Sequence, residues 1–187
     1  MTKFFAEKMK VFIIGGNGSG KSSFALEIGE KISKKNKDNL KKYFIATCEP
    51  IDEELKEKIK KHKNERKGLR WQTIEEPTKI SKVIRDIRKE GKNSVVIVDS
   101  ITLWLTNLFV HKNSERKIKS EIENFLDELS KFEGDIIVVS NECGLGIIPE
   151  EKSLRKWESI LSQINRRISL ISDEVYFMLA GIPQKIK

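Results

Sequence analysis

The sequence predicts an α/β protein with a mostly parallel, doubly wound sheet flanked by helices. Two observations carry this prediction. Short apolar runs alternate along the chain with longer amphipathic segments, which is the pattern of strands joined by crossover helices. A glycine-rich stretch, GGNGSGKS, lies between the first apolar run and the first amphipathic segment. Because the chain has 187 residues and shows no repeat or low-complexity linker, we expect a single domain over residues 1–187.

Each predicted strand is an apolar run that is nearly continuous, as expected where helices cover both faces of a parallel sheet. The runs are KVFIIG (10–15), KYFIAT (42–47), SVVIVDS (94–100), DIIVVS (135–140) and EVYFML (174–179). Between them, apolar residues three and four positions apart predict helices. These stripes are Phe24, Ile28 and Ile32; Ile80, Val83, Ile84 and Ile87; Ile118, Ile122, Phe125, Leu126 and Leu129; and Leu154, Trp157, Ile160, Leu161, Ile164, Ile168 and Ile171.

Composition limits the classes of function. Apolar residues make up 38% of the chain, and no run approaches the roughly 18 that a membrane span needs. The N-terminal apolar stretch ends in glycines rather than at a cleavage site, so we expect no signal peptide. Cys48 and Cys143 lack any metal-binding spacing, which favours free thiols and a cytoplasmic protein. The net charge of +8 suits phosphate-rich ligands without naming one.

The stretch from Gly15 to Ser22 fits the phosphate-binding pattern G-x-x-x-x-G-K-[ST], with a strand predicted before it and a helix after it. Backbone N–H groups of this loop are expected to surround phosphate oxygens, helped by the positive end of the helix. Lys21 would reach the β- and γ-phosphates, and the Ser22 hydroxyl would hold Mg²⁺. The motif therefore predicts a P-loop NTPase-like fold that binds a nucleoside triphosphate. The remaining loop residues are Gly16, Asn17, Gly18, Ser19 and Gly20.

Asp99 ends the run SVVIVD and is the candidate for the acidic partner of that loop. We expect such an acid at the end of a neighbouring strand, where it orients Mg²⁺ directly or through water. The alternative is a helix cap, since Asp99 precedes the stretch SITLW.

Several strings occur in a fixed order: GGNGSGKSSFAL, YFIATCEPIDEELKEKIKKHK, RWQTIEEP, VDSITLWLTNL, VSNECGLGIIPE and GIPQKIK. Together they closely resemble the bifunctional adenosylcobinamide kinase/adenosylcobinamide-phosphate guanylyltransferase family of cobalamin biosynthesis, from about residue 10 to the end. The resemblance implies two reactions. A nucleoside triphosphate, ATP or GTP, phosphorylates adenosylcobinamide, and GMP then passes from GTP to that phosphate through a GMP–histidine intermediate. It also implies a homo-oligomer, a trimer.

The resemblance assigns residues as well. The guanylylated histidine falls on His62, and Glu75 matches a carboxylate on the guanine side. A strand-end contact to the nucleotide matches Ala46, Thr47 and Cys48, and the segment that lines GTP matches Lys63, Asn64, Glu65 and Arg66. A carboxylate at Glu75 accepts both guanine N1–H and N2–H₂, which adenine does not offer. The alternative for Glu75 is a loop acid before Pro77.

The residues around His62 support its role independently. Neighbouring cations such as Lys61 and Lys63 lower the pKa of an imidazole and favour the neutral, nucleophilic form. Without the resemblance, a lone histidine in a Lys- and Glu-rich segment is more often a solvated surface residue. The other histidine, His111, follows an apolar stripe and is not expected to react.

The stretch SNECGLGIIPE (140–150) leaves a predicted strand and carries two glycines and a proline. It is either a substrate lid, with Asn141 and Glu142 meeting the corrinoid or the metal, or a structured turn. Trp104 and Trp157 lie on apolar stripes and are expected in the core or an interface. Two other functions are alternatives to this one. A generic P-loop small-molecule kinase would not need His62, and a nucleic-acid binder lacks aromatic–basic interleaving, so no nucleic acid is expected.

Overall fold

The sheet of this protein has seven strands in the order β3-β2-β4-β5-β1-β6-β7, six of them parallel. The structure is a computed structural model that describes residues 8–35, 40–50, 53–111 and 113–187. The strands are β1 (Lys10–Gly15), β2 (Lys41–Ala46), β3 (Gln72–Glu75), β4 (Ser94–Asp99), β5 (Asp135–Asn141), β6 (Glu174–Leu179) and β7 (Ile182–Lys185). The helices are α1 (Lys21–Lys35), α2 (Glu53–Glu65), α3 (Ile80–Glu90), α4 (Ile101–Val110), α5 (Glu115–Lys131) and α6 (Lys152–Ile171).

Successive residues of the central strands enter two separate cores, as a sheet covered on both faces requires. In β1, Phe12 and Ile14 pack with α3, α4, α5 and α6, whereas Val11 and Ile13 pack with Ala25 and Leu26 of α1. The predicted class, a mostly parallel sheet flanked by helices, is therefore confirmed. Trp104 is buried in the larger core against Phe125, with ring centroids 5.2 Å apart.

The structure adds two strands that the apolar runs did not indicate. β3 forms one edge of the sheet, and β7 forms the other as the antiparallel partner of β6. Both are short and largely exposed, so neither has the continuous apolar sequence of a buried strand. At the start of α6, Leu154 is exposed rather than part of the buried stripe.

Because the central strands are parallel, their carboxyl ends all lie on the same side of the sheet, which we call the carboxyl edge. The ends of β1, β2, β3, β4 and β5 all fall there. Gly15 is in register with Asn141, whereas Asp99 is in register with Val139 of β5 and with Ala46, which in turn pairs with Glu75. None of the helices in the described part of the chain is long and apolar enough to span a membrane.

Candidate functional site

The phosphate loop joins β1 to α1 at the carboxyl edge of the sheet. Gly18 and Gly20 have φ angles of 68° and 89°, in the left-handed region that glycine adopts without steric cost. The first helical hydrogen bond of α1 runs from the Phe24 N–H to the Gly20 carbonyl at 3.0 Å. The loop therefore opens directly onto the positive end of α1, the arrangement that binds phosphate through backbone N–H groups.

Lys21, the first residue of α1, is buried, and its Nζ donates to the Gly16 carbonyl at 2.5 Å. The ammonium group thus lies across the loop, where it can neutralise phosphate oxygens. Ser22 follows it and is half-buried. Asn17 at the tip of the loop is exposed, while Ser19 is buried.

The first two glycines of the motif have different surroundings. A Cβ placed on Gly15 would lie 2.4 Å from the Met178 carbonyl oxygen and 3.1 Å from the Met178 Cβ, so only glycine allows β1 and β6 to pack here. A Cβ placed on Gly16 meets nothing within 4 Å among the described residues. Gly15 therefore serves strand packing, whereas Gly16 faces open space in which a ligand can lie.

Asp99 lies farther from the loop than we expected, because β5 is inserted between β1 and β4. Gly15 is in register with Asn141, and the Glu142 N–H donates to the Gly15 carbonyl at 3.1 Å. With strands about 4.8 Å apart, Asp99 stands roughly 10 Å from β1 in the plane of the sheet. Asn141 and Glu142 are thus the immediate neighbours of the loop.

The end of β2 is bonded to the end of β4. The Thr47 hydroxyl donates to the Ser100 carbonyl at 2.8 Å and accepts from the Ser100 N–H at 2.7 Å. Thr47 is fully buried, whereas Ala46 and Cys48 on either side are half-exposed. The hydroxyl of Thr47 therefore holds the two strand ends together, and a nucleotide contact at this position falls to Ala46 or Cys48.

The last turn of α2 is joined to the edge strand β3 by one exposed ion pair. Lys63 Nζ lies 2.5 Å from Glu75 Oε1, with both side chains at least half exposed. Glu76, rather than Glu75, accepts the N–H groups of Thr78 and Lys79 at the start of α3. This ion pair brings the segment that follows His62 to the carboxyl edge.

His62 lies within α2, and the side chains of His62 and Glu65 fall outside the part of the chain that the structure describes. Asn64 is exposed. Arg66 is buried, with its guanidinium carbon 3.8 Å from the centroid of the Phe44 ring. This cation–π contact anchors the end of α2 on the sheet, a structural role that the sequence did not indicate.

The segment after β5 presents apolar side chains to solvent beside the phosphate loop. Glu142 Oε1 accepts the Gly144 N–H at 2.7 Å, which turns the chain outward. Leu145, Ile147 and Ile148 are then exposed, Ile147 to 96%. Burial raises the pKa of the Cys143 thiol, and the charges of Glu142 and Glu158 add to this while Lys21 opposes it. Cys143 therefore stays a protonated thiol within range of the Lys21 charge.

The second histidine has a partner that the sequence did not indicate. His111 Nε2 lies 2.9 Å from both carboxylate oxygens of Glu49, beyond the end of β2. His111 is therefore engaged in a pair, and it provides a natural control for experiments on His62.

Comparison with known proteins agrees with the geometry. The family model described as cobinamide kinase/cobinamide phosphate guanyltransferase matches residues 11–186. The bifunctional adenosylcobalamin biosynthesis protein CobP of Pseudomonas aeruginosa is 33% identical over 179 residues, 96% of this chain and 98% of that protein. The corresponding protein CobU of Escherichia coli is 28% identical over 193 residues, 96% of this chain and 100% of that protein.

Among solved structures, a KaiC-like protein, PH0186 of Pyrococcus horikoshii, matches with a TM-score of 0.49 and 17% identity, over 91% of this chain and 71% of that one. The family model spans nearly the whole chain, including the phosphate loop and the ends of β2, β3, β4 and β5. The chain belongs to the cobinamide kinase/cobinamide phosphate guanyltransferase family, and it is therefore a kinase and guanylyltransferase of cobalamin biosynthesis.

Proposed function

We propose that the protein phosphorylates adenosylcobinamide with ATP or GTP at the phosphate loop, and then transfers GMP from GTP to that phosphate through a covalent intermediate on His62. The Lys63–Glu75 ion pair carries the second half of this proposal. It lies between the helix of His62 and the carboxyl ends of the strands, where the phosphate loop also lies, and the contact of Arg66 with Phe44 keeps the end of that helix there when Lys63 is released. This supports a single site with a phosphate cradle and a nucleophile on α2.

In the kinase step, the aminopropanol hydroxyl of adenosylcobinamide attacks the γ-phosphorus and loses its proton to water. The bond from that phosphorus to the β–γ bridging oxygen breaks, and the nucleoside diphosphate leaves. Lys21 offsets the charge on the β- and γ-phosphates. Ser22 and Asp99 supply two half-buried oxygen donors for Mg²⁺, which would polarise the phosphoryl group when bound. Among the described residues no three His, Cys, Asp or Glu side chains cluster, as fits an ion that takes its other ligands from phosphates and water.

In the guanylyl step, a neutral ring nitrogen of His62 attacks the α-phosphorus of GTP, and the bond to the α–β bridging oxygen breaks. Pyrophosphate leaves with its charge held by the loop and Lys21. A phosphate oxygen of adenosylcobinamide phosphate then attacks the same phosphorus, and the phosphorus–nitrogen bond breaks to give adenosylcobinamide-GDP and free His62. Splitting one transfer into two in this way is covalent catalysis.

Glu75 is proposed to read guanine, and its ion pair links base recognition to catalysis. When the carboxylate accepts guanine N1–H and N2–H₂, it gives up Lys63 Nζ. The released ammonium is one residue from His62, where it favours the neutral imidazole and takes up charge on the α-phosphate. ATP would leave the Glu75 carboxylate paired with Lys63, so the Lys63 ammonium would not be released toward the α-phosphate.

The exposed apolar segment after β5 is proposed to receive the corrinoid. Leu145, Ile147 and Ile148 lie next to Asn141 and Glu142, which neighbour the phosphate loop. A large, partly apolar substrate would bury these side chains, and Asn141 and Glu142 would meet its polar side chain. A homotrimer and a cytoplasmic location complete the proposal, and light scattering on the purified protein tests the first.

The experiment is an incubation with GTP and Mg²⁺ followed by intact mass measurement. The protein should gain one GMP unit and release pyrophosphate, and addition of adenosylcobinamide phosphate should remove the adduct. A small-molecule kinase that lacks a covalent intermediate would show no adduct while still phosphorylating adenosylcobinamide. That result would refute the guanylyl half alone.

A further inference from the structure

The phosphate loop has different neighbours on its two sides. On one side β5, β4, β2 and β3 follow in order, and their ends carry Asn141, Asp99 and Glu75. On the other side β6 and β7 follow, joined by a tight turn at Ala180 and Gly181 with φ angles of 50° and 83°. A ligand whose phosphates are bound in the loop therefore contacts a different surface according to the side toward which the rest of the ligand extends.

The β6–β7 turn, residues Leu179 to Ile182, is bonded to the phosphate loop. The Gly181 N–H donates to the Ser19 carbonyl at 3.2 Å. A Cβ on Gly20 would lie 3.5 Å from the Gly181 Cα, so the two backbones are in near contact. The Ser19 hydroxyl is buried and has no hydrogen-bond partner among the described residues. The turn is thus a fixed wall of the phosphate site.

The two reactions of the proposed function, on which this step rests, act at opposite ends of the triphosphate: at the α-phosphorus in the guanylyl step and at the γ-phosphorus in the kinase step. In the guanylyl step the α-phosphorus must face α2, which is tied to Glu75, so guanine lies over β2 and β3. In the kinase step the β- and γ-phosphates share the metal site of Ser22 and Asp99. A nucleotide whose γ-phosphate lies on the β4 side would extend its α-phosphate and base away from β4, toward β6 and β7.

The surface at that end presents apolar side chains on which a base can lie. Leu179 and Ile182 pair directly across the turn and are 67% and 69% exposed. With Ala180 and Gly181 they form a small uncharged surface whose three side chains offer no hydrogen-bond donor or acceptor. Contact with aliphatic side chains is favourable in proportion to the apolar area covered and independent of the pattern of donors on the base.

We propose that the β6–β7 turn binds the base of the triphosphate used in the kinase step, and that it accepts adenine and guanine alike. The protein then has two base sites about one phosphate loop. The site at Glu75 selects guanine for the guanylyl step, and the site at the turn is unselective.

The test is the double variant Leu179→Ser/Ile182→Ser, with Ile186→Ser as the matched control. Ile186 is exposed to 62% but lies beyond the far end of β7. The double variant should raise the KM for ATP in the kinase step and the Kd for ATP in calorimetry by about tenfold, as expected for lost aliphatic contact, with kcat within about twofold. The KM for GTP in self-guanylylation should not change. Unmodified protein should use ATP and GTP in the kinase step with kcat/KM values within about tenfold of each other.

The inference is overturned if the double variant leaves the KM and Kd for ATP unchanged, or if Ile186→Ser raises them as much. It is also overturned if the variant impairs both steps equally, or if the kinase step prefers one base by more than about 100-fold. These outcomes are distinct from a failure of the proposed function, in which unmodified protein would lack the guanylyl or the kinase activity altogether.

Discussion

Gly15→Ala tests whether the first glycine of the phosphate loop serves packing rather than ligand binding. The added Cβ would lie 2.4 Å from the Met178 carbonyl oxygen, about 1 Å inside ordinary contact, and 3.1 Å from both the Met178 nitrogen and Cβ. Backbone atoms of a paired strand do not swing aside, so β1 and β6 must separate locally. Overpacking of this kind costs about 2–3 kcal/mol of the free energy of unfolding.

For a chain of 187 residues this cost corresponds to a fall in Tm of roughly 5–10 °C. The assay is thermal unfolding followed by circular dichroism, with Gly16→Ala as the control. A Cβ on Gly16 meets no described atom within 4 Å, so this variant should keep its Tm within about 2 °C and instead raise the KM for the nucleotide. Equal Tm values for the two variants would show that the contrast between the glycines is wrong.

Three further predictions concern charge. Lys21→Ala should abolish the kinase step because no other described residue lies across the loop in its place; turnover within a few-fold of unmodified protein would contradict this. Glu75→Gln should lower the preference for GTP over ATP in self-guanylylation by roughly 10- to 100-fold, and an unchanged ratio would mean that guanine is read elsewhere. Burial alone would raise the pKa of Glu128, but hydrogen bonds from Arg85 and Arg88 outweigh it and hold that pKa below its ordinary value. A lowered folded-state pKa stabilises the protein above the unfolded-state pKa, about 4.3, and the contribution is lost as the pH falls through the folded-state value. The urea midpoint of Glu128→Gln should therefore fall below that of unmodified protein at pH 7 and approach it at pH 3; a constant gap would refute the assignment.

The parts of the fold that the sequence predicted are those where local pattern and burial agree. The five predicted strands are nearly continuous apolar runs, and each observed limit lies within one residue of the predicted one. β3 and β7 were missed because edge strands pair on one side only and leave side chains in water. Their residues carry no apolar pattern that separates them from loops.

The candidate site shows the same division. The spacing of the phosphate motif predicted the loop and the place of Lys21, because the loop is a local structure whose residues are close together in the sequence. Sequence order does not show which strands are neighbours, so the insertion of β5 between the loop and Asp99 came only from the topology. The burial of Thr47 and the stacking of Arg66 on Phe44 depend on partners that are distant in sequence. The functional roles of His62 and Glu75 stay predictions.

The central claim is that His62 carries GMP, and mass spectrometry of GTP-treated variants tests it most directly. Because a phosphorus–nitrogen bond is labile in acid and relatively stable in alkali, digestion and peptide mapping should be carried out at alkaline pH. Unmodified protein and His111→Asn, whose imidazole pairs with Glu49, should both gain GMP on the peptide that contains His62. His62→Asn should gain none and lose guanylyl transfer, yet still phosphorylate adenosylcobinamide, because Lys21 and Asp99 are unchanged. Normal labelling of His62→Asn, or GMP found on a serine, a lysine or His111, would contradict the account.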